Sequence, residues 1–337
     1  MGMRNLTISE YGTFIGVVGE RLVVRESDGS AWETPLSRLR SIRIEKPGMS
    51  LSGNVITACA ARGIRLYFVD WKGMSCAVVH GTQYQSLAKL REAQFACARS
   101  SKALPIALEM IQSKIRNQRA VLLYFSKYYV KTNPVCADRL RSAADLLKDQ
   151  SGLLTIEQIA QHPKHPWREM VMGIEGAAAH AYWQALVESA LLPASFQGRQ
   201  GRGATEIVNC ALNYGYAVLN SYVWSALDNA GFEVFVGFLH SHRPGRASLV
   251  LDVMEEYRAW VVDRNVIKLR RLLESPAKGL DQKIKREISN SIDTTMESRI
   301  LWKGKKLRLD NVIQRQAYRL AGAVCDDKTY RGMRFKW

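Results

Sequence analysis

Over roughly the first eighty residues, apolar positions alternate with polar ones or gather in short blocks, and both patterns predict strands. GTFIGVVGERLVVRE (12–26) predicts two strands turning at Gly19-Glu20, and SIRIE (41–45) alternates cleanly. IRLYFVD (64–70), then Trp71-Lys72-Gly73, then MSCAVVH (74–80) predict a further pair. One helix interrupts them, SGNVITACAARG (52–63), with Ser52 as its cap and Gly63 as its stop. From about residue 85 the period becomes helical: Ile111, Ile115, Leu122 and Tyr129 share one face. Thr155 with Gln158 makes a capping box, Thr205 stands ready to cap the helix entering IVNCALNYGYAVL, and Ser248 to cap the next. The pattern predicts an α+β chain, with a small β-rich N-terminal domain over 1–84 and a larger all-α C-terminal domain over 85–337.

The helix after Ser248 carries Asp252, Glu255 and Glu256 at i, i+3 and i+4, so the acids share an edge. Like charges at these spacings cost about 0.2–0.5 kcal/mol per pair on an exposed helix. A divalent cation or a basic partner removes that cost; so does an exposed stripe balanced by Arg258 and Arg264. Just upstream, the apolar run FEVFVGFL delivers His240 to the end of a buried-looking segment. Glu175 lies in WREMVMGIEGAAAHAYWQAL (167–186), whose glycines and alanines suggest close helix packing. An unpaired carboxylate there is expensive, so Glu175 is expected to be paired, with one of the arginines for instance, protonated, or bound to a metal. If Glu175, His240 and Glu255 meet, two carboxylates and an imidazole suit Mn²⁺ or Mg²⁺, with no thiolate to demand zinc.

The charge balance widens the picture. The formal net charge is +17, and residues 264–337 hold 19 Lys and Arg against 8 Asp and Glu. Such a field favours a polyanionic partner, either nucleic acid or an anionic membrane surface, although a solvated basic face gives the same count. Lys303, Lys305, Lys306 and Arg308 are candidate phosphate contacts, and the tail YRGMRFKW (330–337) adds aromatic residues to the charge. In SFQGRQGRGATEIVN (195–209), Gly198, Gly201 and Gly203 allow close backbone approach while Arg199 and Arg202 project charge before a helix N-terminus. Phosphate contact and a plain surface loop both fit that stretch; without a GK[ST] ending it is no P-loop. His240-Ser241-His242-Arg243 also meets the H-x-x-R pattern of tyrosine recombinases, with Tyr257 as a conceivable nucleophile. The six cysteines are scattered with no C-x-x-C pair, and the N-terminus has no apolar signal core, so a reduced cytoplasmic protein without a membrane span is expected.

Taken in order, GIEGAAAHAYW, SFQGRQGRGATEIVNCALNYGYAVL and GFLH…RASLVLDVMEEYR…VVDR resemble the CRISPR-associated spacer-acquisition integrase family, that of the Cas protein numbered one. IRIEKPGMSLSGNVITACAARGIRLYFVDWKG resembles that family's small β-domain, and SKIRNQRAVLL (113–123) its first long helix. Two stretches depart from the pattern: Asn213-Tyr214 stands where an L-S or similar pair is usual, and the loop after Arg199 carries Gly-Arg-Gly where prolines are common. The resemblance implies a metal-dependent DNA endonuclease and integrase that inserts new spacer DNA into a CRISPR array by attack of a 3′-hydroxyl. It implies a homodimer that assembles with a small ferredoxin-fold adaptation partner. It places the metal ligands at Glu175, His240 and Glu255, with Asp252 as the other acid of the last motif and Glu256 left to a basic residue or solvent. A transposon-type integrase and a non-catalytic DNA-binding scaffold are the rival functions.

Overall fold

The computed structural model describes residues 4–70, 75–81, 87–162, 164–201, 203–241, 243–274, 280–326 and 328–336. The chain divides into two compact units, Met1–Leu87 and Ala88–Trp337. The expected junction at residue 84 and the Trp71-Lys72-Gly73 turn lie outside the described residues.

The first unit holds β1 (Arg4–Ile8), β2 (Phe14–Val18), β3 (Arg21–Arg25), β4 (Ala31–Pro35), β5 (Leu39–Ile44), β6 (Ser50–Leu51), α1 (Gly53–Ala61), β7 (Arg65–Val69) and β8 (Ser75–Val79). They form two four-stranded sheets, ordered β1-β5-β7-β8 and β4-β3-β2-β6. The β2–β3 hairpin turns at Gly19, whose φ of +57° is the left-handed conformation glycine permits. Ile15, Leu22, Val24, Ile42, Val55 and Leu66 form a common core. Ser52 occupies the cap position of α1, but its side chain makes no capping hydrogen bond; Gly63, at φ +66°, follows the helix end as expected.

The second unit contains α2 (Leu87–Ala98), α3 (Ala103–Tyr129), α4 (Pro134–Gly152), α5 (Ile156–Ala160), α6 (Trp167–Glu188), α7 (Ile207–Ala230), α8 (Ser248–Tyr257), α9 (Arg264–Lys268), α10 (Gln282–Glu297) and α11 (Leu309–Cys325). It is mostly helical, yet not wholly so: β9 (Arg299–Trp302) and β10 (Lys305–Arg308) form an antiparallel hairpin. Its two-residue turn puts Lys303 at φ +48° and Gly304 at φ +77°, the geometry of a tight hairpin turn. The 27-residue α3 is the spine, packing along α4, α6 and α8. Ile111, Ile115 and Leu122 lie on its buried face. Between α8 and α9 the chain makes a π-helical turn, Arg258–Asp263, which re-aims the side chains that follow. Among the described residues no helix is long and apolar enough to cross a membrane.

Caps follow the sequence in part. Thr155 accepts the Gln158 amide as expected. At α7, Glu206 and not Thr205 is the cap, accepting the amides of Val208 and Asn209 at 2.9 and 2.8 Å. A carboxylate reaches two amides at once where threonine reaches one. Ser248 lies inside α8 and donates to the Ser241 carbonyl at 3.0 Å.

Candidate active site

The segment 232–239 is buried at Phe232, Val234, Val236, Phe238 and Leu239, although it is a tight loop and Phe235 is exposed. Burial of Phe238 alone contributes about 1.5–3 kcal/mol. Gln94 of α2 brackets the loop, donating to the carbonyls of Glu233 and Val236 at 2.9 and 2.7 Å and accepting the Glu233 amide at 2.9 Å. Arg168 donates to the Phe238 carbonyl at 3.2 Å while its guanidinium rests 4.3 Å from the Trp167 ring centre. Asp252 closes the far end. Its Oδ2 accepts the amides of Phe238 and Leu239 at 2.6 and 3.0 Å; its Oδ1 accepts the His240 amide at 3.1 Å and His240 Nδ1 at 2.5 Å. Gly237 is required by this close approach, since a Cβ there would lie 2.7 Å from Asp252 Oδ2 and 2.9 Å from Ser248 Cβ. Both Asp252 oxygens are thus committed to the loop. Nε2 is the ring nitrogen that His240 can offer a ligand.

Glu175 of α6 and Glu255 of α8 meet through a residue the sequence did not single out. Lys114 of α3 pairs with Glu175 Oε1, and its Nζ lies 2.7 Å from Glu255 Oε2. Arg258 takes the other Glu255 oxygen at 2.7 Å. Burial works to raise the Glu255 carboxyl, but Arg258 and Lys114 win and hold it at about 2. Lys114 is opposed by burial too, yet Glu255 and then Glu175 push it above its ordinary value. His240 adds to the depression of Glu255, which places the imidazole within electrostatic reach of that carboxylate. The packing expected around Glu175 differs: the side chain keeps 22% of its surface, and among the described residues nothing lies within 4 Å of a Cβ built at Gly173 or Gly176. That face of α6 is open.

The donors suit a hard divalent cation in kind. Lys114 Nζ marks one cation position shared by both carboxylates, and Glu255 Oε2 is sealed from solvent with that ion pair as its contact and no hydrogen bond. An imidazole oriented by a carboxylate behind it is the usual partner of such a pair. Among the described residues no three His, Cys, Asp or Glu side chains converge at ligating distance. Lys114 stands between the two carboxylates.

Against this geometry, the family model described as CRISPR associated protein Cas1 matches residues 6–286. The chain belongs to the Cas1 family. It is 40% identical over 336 residues to the CRISPR-associated endonuclease Cas1 1 of Francisella tularensis subsp. novicida (strain U112), covering 99% of this chain and 100% of that one. Among solved structures it is similar to a casposase bound to integration product, with a TM-score of 0.76 at 22% identity over 98% of this chain and 93% of that one. It is also similar to a chain of a Cas6-RT-Cas1–Cas2 complex, with a TM-score of 0.72 at 21% identity over 98% of this chain and 36% of that one.

The other predicted residues of this Cas1 chain take varied places. Glu256 points away from Glu255, fully buried: Oε1 accepts the Tyr330 hydroxyl at 2.5 Å and Oε2 the Met333 amide at 2.6 Å. It is thus sealed from solvent and, among the described residues, hydrogen-bonded to no basic side chain; burial pushes its carboxyl up to about 7 although Arg319 acts to lower it. Tyr257 is 0% exposed with its hydroxyl pushed well up by burial, so it cannot reach a phosphate as a nucleophile. The tail is no aromatic binding arm either. Tyr330, Met333 and Phe335 are buried, Phe335 stacks on Trp260 at 5.2 Å, and Asn117 donates to the Glu256 and Met333 carbonyls at 2.7 and 2.8 Å.

Arg199 turns inward, donating to Asn209 at 3.0 Å and Asn213 at 2.6 Å over the Tyr216 ring. The departure at Asn213 thus supplies its acceptor. Glu206 already fills the N-terminus of α7, which leaves that end unsuited to a phosphate. Among the described residues nothing lies within 4 Å of a Cβ built at Gly198, Gly201 or Gly203, so close packing against those residues is not their role. Arg202 lies outside the described residues. On the hairpin Lys303, Lys305 and Lys306 are exposed, while Arg308 pairs with Asp310 at 3.0 Å and Glu297 at 3.3 Å. Lys114 carried one sequence signal: it sits three residues from Ile111 on the apolar face of α3, where an isolated cation needs a partner. Gln94 and Asn117 carried the same signal as polar residues at buried positions.

Proposed function

We propose that the chain is a metal-dependent DNA endonuclease and integrase that inserts new spacer DNA into a CRISPR array by attack of a 3′-hydroxyl on a phosphodiester. The observation that carries this reading is the convergence of Glu175 and Glu255 on one cation position beside a histidine oriented by Asp252. Glu175, Glu255 and Nε2 of His240 are the groups that would hold Mn²⁺ or Mg²⁺. Bound there, the ion supplies positive charge to the attacked phosphate and to the attacking oxygen. Asp252 fixes the imidazole and the loop behind it, so its part is positioning. Arg258, held by Glu255 and by the Tyr216 ring 5.1 Å away, keeps Glu255 ionised. Lys114 holds the two carboxylates together at that shared cation position.

The similar casposase is bound to integration product and another similar chain sits in a Cas6-RT-Cas1–Cas2 complex, which supports strand transfer and a multi-protein complex here. As partners we propose DNA, a second copy of this chain and a small ferredoxin-fold adaptation protein, all in the cytoplasm. The transposon-type reading keeps the same site and chemistry, and a repeat array beside the gene separates the two. The test is joining of a labelled 3′-hydroxyl duplex to a supercoiled repeat-containing plasmid. Joining with Mn²⁺ or Mg²⁺ that EDTA abolishes is expected, and joining undiminished by exhaustive chelation would refute the metal reading.

A further inference from the structure

Ten residues beyond Lys114, about 15 Å further along α3, a second group of cations stands apart from the carboxylates. Tyr124 and Tyr128 meet edge-on at 5.3 Å with their hydroxyls 3.1 Å apart. Tyr124 meets Trp260 of the π turn edge-on at 5.9 Å. Arg264 lies 4.1 Å from the Trp260 ring centre and 5.7 Å from that of Tyr124, and Lys268 Nζ lies 5.3 Å from Tyr124. Tyr128 is 63% exposed.

What this group lacks is an acid. Lys114, Arg258 and Arg308 each face carboxylates. Among the described residues no carboxylate pairs with Arg264 or Lys268, and Arg264 Nε is sealed from solvent without a hydrogen-bond partner. Burial lowers both cations below their ordinary values, and Arg264 lowers Lys268 further. Two like charges held against aromatic rings with no counter-ion are costly until an anion arrives. The rings indicate which anion. Inorganic phosphate has no use for an exposed tyrosine face, nor has an acidic peptide. A nucleic-acid strand offers phosphates and bases in succession, and cations interleaved with aromatic rings are the surface an unpaired strand follows. In a duplex the bases are already stacked on each other, so a free tyrosine face selects for the unpaired form.

We propose that Tyr128, Arg264 and Lys268 form a binding site for an unpaired DNA strand, separate from the carboxylate centre, with phosphate on the two cations and a base on Tyr128. This rests on the DNA-processing reading above.

The test titrates the full-length protein and its Tyr128→Ala, Lys268→Gln and double variants with fluorescent oligodeoxythymidylate and with a duplex of equal length. Anisotropy is read across a salt series, and melting is followed in parallel. Both side chains are exposed, so the fold is expected to persist. Tyr128→Ala should weaken the unpaired strand roughly 5- to 100-fold, and the duplex far less. Lys268→Gln should reduce the slope of log K against log salt by about 0.7 for the unpaired strand, the share of a single phosphate. An unchanged affinity in the double variant, with the parent protein binding normally, would overturn the site. Equal losses on both DNA forms would overturn its preference for the unpaired form, and tighter binding of polyglutamate than of DNA would reassign it to a protein partner. A parent protein that binds neither DNA would instead overturn the DNA-processing reading itself.

Discussion

Glu256→Ala is the perturbation whose size the structure allows to be worked out. The substitution strips the acceptor from two buried donors, the Tyr330 hydroxyl and the Met333 amide. Each orphaned donor costs about 1–3 kcal/mol, and the cavity left by the side chain adds to that. Against this, a buried carboxyl held at about 7 is itself uncomfortable when ionised, and its removal relieves part of the loss. The net is about 2–4 kcal/mol, concentrated on residues 330–335. Hydrogen exchange on peptides covering that stretch should therefore accelerate roughly 30- to 1,000-fold at neutral pH. Glu256→Gln should retain most of the protection, because its amide can donate to the Tyr330 oxygen while its carbonyl accepts from Met333. The sign of the pH dependence follows from the raised carboxyl. The folded state holds the proton more tightly than the unfolded one, so the contribution is complete below about 4.5 and is lost as pH rises to about 7. That gap corresponds to on the order of 3 kcal/mol, and Glu256→Gln should remove this part of the pH profile. Exchange at 330–335 changing less than threefold in Glu256→Ala would show that the tail is anchored elsewhere.

Other substitutions sort the site. Glu255→Ala should abolish joining while circular dichroism and DNA affinity stay near the parent, and Lys114→Met should lower melting more in EDTA than in Mn²⁺, because it removes the cation that Glu175 and Glu255 share and leaves Arg258 as the ion-pair partner of Glu255 alone. Tyr257→Phe should keep its joining activity with no covalent protein–DNA adduct on denaturing gels; loss of both would revive the recombinase chemistry. Neutralising Lys303, Lys305 and Lys306 should flatten the salt dependence of duplex binding by about 0.9 for each DNA phosphate these lysines neutralise, whereas Arg308→Gln should act mainly on stability, through Asp310 and Glu297.

Much of this was legible in the sequence because it is local. The β2–β3 hairpin, β5, β7 and α1 follow from short-range alternation and from glycines in turns. β4 escaped because AWETP is half polar and ends in proline, as an edge strand can. The β9–β10 hairpin escaped because KKLR reads as charge and Lys-Gly is not a favoured turn pair. The order Glu175, His240, Asp252, Glu255 was visible, and so was the difference between Glu255 and Glu256, which a 3.6-residue period turns about 100° apart. The partners were not visible. Lys114 meets carboxylates on two distant helices, and nothing in its spacing names them. Tyr330 and Phe335 are chemically what a DNA-binding tail needs, and only their burial shows otherwise.

The bonds that assemble the site join parts of the chain made far apart in time. Gln94 reaches Glu233 across 139 positions, and Asn117 reaches Met333 across 216. Contacts this distant close late in folding, after local helices have formed, because each must bring the ends of a long loop together first. A chain that has collapsed but not yet threaded residues 330–335 beneath Glu256 lacks the support behind α8. Refolding followed by far-ultraviolet circular dichroism and by joining activity should then show helix recovering well before function. On the reading proposed above, of an enzyme that cuts and joins DNA, this ordering is a safeguard: an immature copy is helical and inert.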